Sequence, residues 1–248
     1  MTVRRNADGF TSFPKGHPLE NFNFGNPITH PYFMEDFLTW DIGQAAGHSW
    51  THTSTGSTDT VVGPTGVGRF TLTTDNDIMQ CQLTEAPWQT NSKRLYFMSR
   101  FSLNIAGGTI AQNELFVGMS SEETGTNFFN NGGTALAMQD AIGFYQFDGG
   151  TGSMGVAMRE ATVGSTEESV LTLTDDTFVT VAFVFDGTQT DFYTSTDASG
   201  LDMRTDNPAA TLTSTIATSI LTPTIYLKCG ESQANIFNCD YIFVGSER

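Results

Sequence analysis

Carboxylates are the residues of this chain best equipped for chemistry. Hydrolysis of a glycosidic bond needs two of them about 5–10 Å apart across a cleft. On a strand, positions i and i+2 or i+4 meet that requirement. The paired acids here are Glu35–Asp36, Glu122–Glu123, Glu167–Glu168 and Asp175–Asp176. Neighbouring residues on a strand point to opposite faces, so none of these pairs is a same-face dyad. They read as solubilising loop residues, and no catalytic residue is assigned.

Other reactive types fare no better. The four histidines are His17, His30, His48 and His52. His48 and His52 lie four apart, but HSWTHTSTGS is a strand or loop sequence with no Glu in the HExxH position. A serine nucleophile would want a GxSxG elbow, and neither GTGSMG nor STGST has that spacing. Gly63–Gly68 lacks the lysine of a phosphate-binding loop. Asp75, Asn76 and Asp77 are contiguous where a calcium loop needs alternation. Asp197–Gly200 with Asp202 reads as a polar turn or a weak calcium site. No metal and no cofactor are expected. The three cysteines, Cys81, Cys229 and Cys239, cannot all pair within the chain, and a reducing compartment of synthesis is the simpler reading. Cys229 and Cys239 are spaced so that a disulfide across a hairpin is an alternative.

Charge narrows the partners. The chain has 248 residues, with 27 acidic against 11 basic ones, a net charge of −16. A surface this acidic repels phosphate backbones and anionic bilayers, so neither nucleic acid nor membrane is expected as a partner. No apolar run approaches the roughly 18 residues of a membrane span. The opening MTVRRNADGF has no apolar stretch of the secretory kind, and no leader is expected. Charged residues make up only 15% of the chain, so Thr, Ser, Asn, Gln and Gly must wet the surface. The 20 Phe supply the apolar area for a core.

These residues need elements to position them, and the pattern is one of strands. Ten alternating or apolar segments recur from Arg69–Thr74 to Asn238–Val244, with turn clusters such as NNGG, DGGTG and CGESQAN between them. Phe178–Phe185 is apolar on both faces and reads as a buried central strand. Leu95, Phe97, Phe101 and Leu103 share one face of their strand. Arg94, Tyr96, Met98 and Arg100 share the other, which reads as solvated. Helix signals are weak: Thr134–Ala141 could form two turns, and Ala209–Ile220 is too rich in Thr. The fold class expected is all-β, a two-sheet antiparallel jelly-roll sandwich over residues 34–248.

Residues 1–33 differ. They hold four of the eight prolines, which prevent helix and central strand alike. Up to Pro18 the charge is +2, from Arg4, Arg5 and Lys15 against Asp8. With Phe10, Phe13, Phe22, Phe24 and Tyr32 they make an aromatic, slightly basic, extended N-terminal arm. These eight residues, the three bases and five aromatics, are the expected partner-binding set.

The order of segments resembles the concanavalin A-like lectin/glucanase (laminin G-like) jelly-roll proteins found among tailed-phage virion proteins. EDFLTWDIG is similar to the family's first strand and SKRLYFMSRFSL to its aromatic strand. ELFVGMSS and DAIGFYQFDG resemble its paired core strands, and TFVTVAFVFDGTQTDFYTSTD its long central hairpin. NCDYIFVGSER is similar to its closing strand. The ExDxE-type strand of glycosidases with this fold is missing, and no metal-binding Asp/Asn loop of the legume-lectin type can be placed. The resemblance therefore implies a fold and a virion setting without an activity. The expectation is a non-enzymatic virion structural protein of a tailed bacteriophage, a capsid decoration or cement protein. It would be made in the host bacterial cytoplasm and sit on the capsid surface, its arm on the major capsid protein or another virion protein, as a homo-oligomer. The alternative is a carbohydrate-binding adhesin or tail/fibre component, with a glycan as partner.

Overall fold

A computed structural model describes residues 4–5, 11–12, 32–35, 50–55, 66–84, 88–90, 93–121, 128–130, 132–138, 140–161, 163–197, 200–201, 206–213 and 220–247. Apart from one 3₁₀ turn, Ile110–Gln112, the regular elements among them are strands. In chain order these are β1 (Arg4–Arg5), β2 (Thr11–Ser12), β3 (Tyr32–Glu35), β4 (Trp50–Thr55), β5 (Gly68–Leu72) and β6 (Ile78–Leu83). Next come β7 (Trp88–Gln89), β8 (Leu95–Ile105), β9 (Asn113–Ser120), β10 (Ala141–Gln146), β11 (Ser153–Glu160) and β12 (Val163–Thr172). The last are β13 (Val179–Phe185), β14 (Gln189–Ser195), β15 (Ala210–Thr213), β16 (Ile220–Cys229) and β17 (Asn235–Ser246).

Two antiparallel sheets face each other. One has eight strands in the order β12-β11-β10-β9-β16-β6-β4, with β7 also on β16. The other has seven, β15-β14-β13-β8-β17-β3, with β5 also on β17. This is the all-β two-sheet sandwich that the alternation implies. Period-two patterning sends Leu115, Val117 and Met119 of β9 and Ile225, Leu227 and Cys229 of β16 into the core. From the other sheet come Leu95, Phe97, Phe101 and Leu103 of β8 and Val179, Val181, Phe183 and Phe185 of β13. Phe97 stacks on Phe183 at 5.3 Å, Phe183 meets Phe192 at 5.9 Å, and Phe192 meets Phe144 of the opposite sheet edge-on at 5.5 Å. That chain of rings ties the two layers together. Pro223 is tolerated inside β16 because it sits between the stretch paired to β7 and the stretch paired to β6.

Several expectations need correction. Helix does not form over the described part of 134–141. Gly132 and Gly133 break it, Asn130 Oδ1 accepts from the backbone N–H groups of Thr134 and Ala135, and Phe129 bridges Leu136. Ala141 already belongs to β10. The three cysteines are free and buried. Cys229 and Cys239 cannot meet across a ladder, because β16 and β17 belong to different sheets. Glu167 and Glu168 lie on β12, a strand at the edge of its sheet, where exposed carboxylates discourage pairing with another chain. The second face of β8 is not solvated: Tyr96 is 2% and Met98 8% exposed.

The N-terminal segment is described in part. β1 and β2 form a small antiparallel pair, Arg4 opposite Ser12 and Arg5 opposite Thr11. Tyr32 and Phe33, counted with the arm on sequence, open β3 and pair with Gly245 and Val244 of β17. Phe33 is 4% exposed and packs against Trp50 at 5.9 Å and Trp88 at 6.4 Å. Two of the three tryptophans are thereby used in closing one side of the sandwich.

Candidate functional site

Of the expected partner-binding residues, Arg4 and Arg5 lie in β1. Tyr32 stands on the edge strand β3, 45% exposed. Phe10, Phe13, Lys15, Phe22 and Phe24 lie outside the described residues. Among the described parts, the chemistry concentrates on the outward face of the eight-stranded sheet.

That face is built by register. Tyr226 of β16 sits opposite Phe116 of β9, which sits opposite Tyr145 of β10. One step along, Thr224 faces Gly118 and Gly118 faces Gly143. The two glycines are required by close approach. A Cβ at Gly118 would come 2.4 Å from the Ile142 carbonyl oxygen, and one at Gly143 would come 2.8 Å from the Phe116 ring. Phe128 and Phe129 drop onto this floor from the segment that joins β9 to β10. Phe128 stacks on Tyr226 at 4.8 Å and meets Phe116 at 5.7 Å, while Phe129 meets Tyr226 at 5.6 Å. Leu136 and Met138 complete a second apolar cluster with Ala141, Tyr145 and Ala157. The base of the segment is fastened, because Ser121 N–H donates to the Asp140 carbonyl and Ala161 N–H to its carboxylate. Arg159 Nε donates to the Met138 carbonyl. The segment thus plugs the face with its own aromatic rings.

Glu114 stands at one end of the plugged face, 2% exposed. Its Oε1 accepts from Lys228 Nζ at 2.8 Å, and Tyr226 Oη donates to Oε2 at 3.4 Å. Burial pushes the Tyr226 phenol upward, and the neighbouring carboxylate pushes the same way, so it stays a neutral donor. Gly133 of the plug lies over the carboxylate, where a Cβ would approach Oε1 to 2.6 Å and Asp148 Cβ to 2.8 Å. Asp148 donates its N–H to the Gly133 carbonyl. Gly133 thus stands between Glu114 and Asp148. The Glu114 carboxylate is held by the Lys228 ammonium and covered by the Gly133 backbone.

A neutral polar network occupies the other end of the face. Gln80 Nε2 donates to Gln82 Oε1 at 2.7 Å. Gln82 Nε2 lies 3.0 Å from both Ser120 Oγ and Thr224 Oγ1. All four residues are buried, and amides and hydroxyls that satisfy one another fix the register of the strands beneath them. Elsewhere a cleft of about 490 Å³ opens at the rim of the sandwich, lined by Thr172, Thr194, Ser195, Thr196, Asp197 and Asp206 among others. Asp197 and Gly200 form a turn in which Gly200 N–H donates to the Asp197 carbonyl, and Asp202 lies outside the described residues. No group of three or more potential metal ligands occurs among the described residues.

The Glu114–Lys228–Tyr226–Asp148 cluster escapes a search for paired acids, because its members are 114 residues apart at the extremes. The available signal is one charge in each of two otherwise apolar strands, ELFVGMS and ILTPTIYLKC, at matching parity.

No family model matches the chain, and no curated protein matches it. Solved structures do. Lectin II from Ulex europaeus superposes with a TM-score of 0.58 at 12% identity, over 88% of this chain and 98% of the lectin. An endo-1,3-β-glucanase from Streptomyces sioyaensis gives 0.54 at 12%, over 90% and 98%. A protein of unknown function from Shewanella oneidensis MR-1 gives 0.55 at 15%, over 88% and 87%. The fold is therefore the concanavalin A-like lectin/glucanase jelly roll, shared by binding proteins, an enzyme and a protein of unknown function.

Proposed function

We propose that this chain is a non-enzymatic structural protein of a tailed-phage virion, a head decoration protein held to the major capsid protein through its N-terminal segment. The observation that carries the non-enzymatic part is the plug. Hydrolysis of a polysaccharide on this face would need an open floor with free carboxylates, and here Phe128 and Phe129 occupy the floor while Lys228 and Gly133 cover Glu114. The virion setting follows from the resemblance described above. It is supported by the division of charge between a basic, aromatic N-terminus and an acidic body. Residues 160–206 hold ten acids and one base, Arg204, which suits a solvent-facing, self-repelling outer surface on a crowded lattice. Copies arranged on that lattice form the homo-oligomer.

Mass spectrometry of purified virions tests the reading. It requires the chain in stoichiometric amounts on heads, and absence from virions would overturn it. A second reading, a carbohydrate-binding adhesin or tail component, is favoured by the hydroxyl-lined rim cleft between Thr172 and Asp206. A glycan array separates the two, because the first reading requires no glycan to bind above background.

A further inference from the structure

One end of the core is polar, and its acceptors outnumber its donors. Asn113 opens β9, Gln146 ends β10 and Asn235 opens β17. Strand parity turns all three inward, in step with Leu115 on β9, Phe144 on β10 and Phe237 on β17. They are 0%, 1% and 0% exposed. Asn113 and Gln146 belong to the eight-stranded sheet and Asn235 to the seven-stranded one. Each amide nitrogen is used. Gln146 Nε2 donates to the Ile110 carbonyl at 2.6 Å and to the Asn113 carbonyl at 3.0 Å. Asn113 Nδ2 donates to the same Ile110 carbonyl at 3.3 Å and to that of Thr109 at 3.4 Å. Asn235 Nδ2 donates to Cys229 Sγ and, at 3.3 Å, to the Gln233 carbonyl. Cys229 stands opposite Asn113 in the ladder and gives its own S–H to the Glu231 carbonyl at 2.9 Å. The four side chains are therefore contiguous.

The amide oxygens are in the opposite position. Asn113 Oδ1, Gln146 Oε1 and Asn235 Oδ1 are sealed from solvent and accept from no donor of the protein. Turning an amide over brings no relief, because its NH₂ would leave the carbonyls it serves and an oxygen would face them instead. What the three atoms need is a donor, and buried acceptors of native proteins find one. We propose that this end of the core binds ordered internal water, which donates to the three amide oxygens and links one sheet to the other. Water fits the chemistry of the set. The oxygens belong to neutral amides and form no ring of carboxylates, so charge does not call for a cation. Internal waters commonly make about three hydrogen bonds to buried polar groups that lack other partners. Lys228, the base on the neighbouring stretch of β16, is engaged by Glu114 on the outward face. The middle of the sandwich is thus joined by the rings of Phe97, Phe183, Phe192 and Phe144, and this end is joined through water. The 3₁₀ turn Ile110–Gln112 fixes the joint, because the Ile110 carbonyl holds both amides of the eight-stranded sheet.

Oxygen-17 relaxation dispersion of water, which counts long-lived internal waters, tests this on the full chain. Asn235→Leu and Gln146→Met should each lose at least one such water relative to the parent while still melting cooperatively. An unchanged count in the folded variants overturns the proposal. A crystal structure of the parent chain answers the question if both variants unfold. It should show ordered solvent within hydrogen-bond distance of all three amide oxygens, and a dry site in that map overturns the proposal as well. Melting of the parent in sodium, potassium and choline chloride at equal ionic strength separates water from an ion. The midpoints should coincide. A midpoint that depends on the cation in the parent and not in Asn235→Leu makes the ligand a cation and overturns the assignment to water.

Discussion

Single residues give the sharpest tests of the core. Phe183 is fully buried between Phe97 and Phe192. Phe183→Ala should lower stability by about 3–5 kcal/mol in urea melts, and a loss below about 1 kcal/mol would mean the ring chain does not bind the sheets. Lys228 is set against a sealed carboxylate, its side chain 21% exposed and that of Glu114 3%. Lys228→Met leaves that charge without its ammonium and should cost about 3 kcal/mol, while Glu114→Gln/Lys228→Met should recover most of the loss. If the double variant is as unstable as the single, the ion pair is not the source. Burial pushes the Cys239 thiol well up, and the Asp240 and Glu35 carboxylates push it the same way against the Ser99 hydrogen bond. Above the unfolded thiol value of about 8.5, the unfolded chain loses a proton that the folded chain keeps. The thiol's contribution to stability is therefore full below that pH and shrinks as pH rises past it. Cys239→Ala should flatten the fall in urea midpoint between pH 8 and 10, and an unchanged slope would refute this origin.

At the scale of elements, the strands were legible and their covers were not. Hydrophobic alternation locates β8, β9, β10, β13 and β17, because each buries one face in a shared core and turn residues end it. The outward faces defeat the same reasoning. Tyr96 and Met98 look like the wet side of β8, because they alternate with Arg94 and Arg100, yet they are buried in a cluster with Ala182, Tyr193 and Leu201. The plug is hidden for a related reason: Phe128, Phe129 and the NNGG turn read as an ordinary loop until Tyr226 and Phe116 are placed beneath them. On sequence Phe33 reads as part of the arm, because Pro27 and Pro31 lie so close to it, yet strand pairing begins at Tyr32. The glycine pair under the plug offers a direct check. Gly118→Ala would force its Cβ against the Ile142 carbonyl and Gly143 Cα, both backbone atoms. It should lower stability by about 1–3 kcal/mol. The control is Gly149→Ala, where nothing stands within 4 Å and only a φ of +69° is strained, so about 1 kcal/mol is expected. Equal melting of Gly118→Ala and the parent would show that strands β9 and β10 are not held this close.

The whole molecule divides into an acidic sandwich and a segment of opposite character. A body that holds 25 of the 27 acids meets an acidic lattice poorly on its own, whereas aromatic side chains on a tether carrying Arg4, Arg5 and Lys15 can fill apolar pockets and pair with carboxylates. The contact should therefore be mainly apolar with a modest salt dependence. The decisive measurement is cosedimentation of the protein with phage heads that lack their own copy, comparing the full chain with one beginning at Pro31. That start keeps Phe33 and the β3 pairing, which a start at Met34 would remove. The account predicts saturable binding of the full chain and at least a tenfold weaker association of the shortened one, with the shortened chain still cooperatively folded. Equal decoration of heads by both proteins would contradict it and would move the contact to a face of the sandwich.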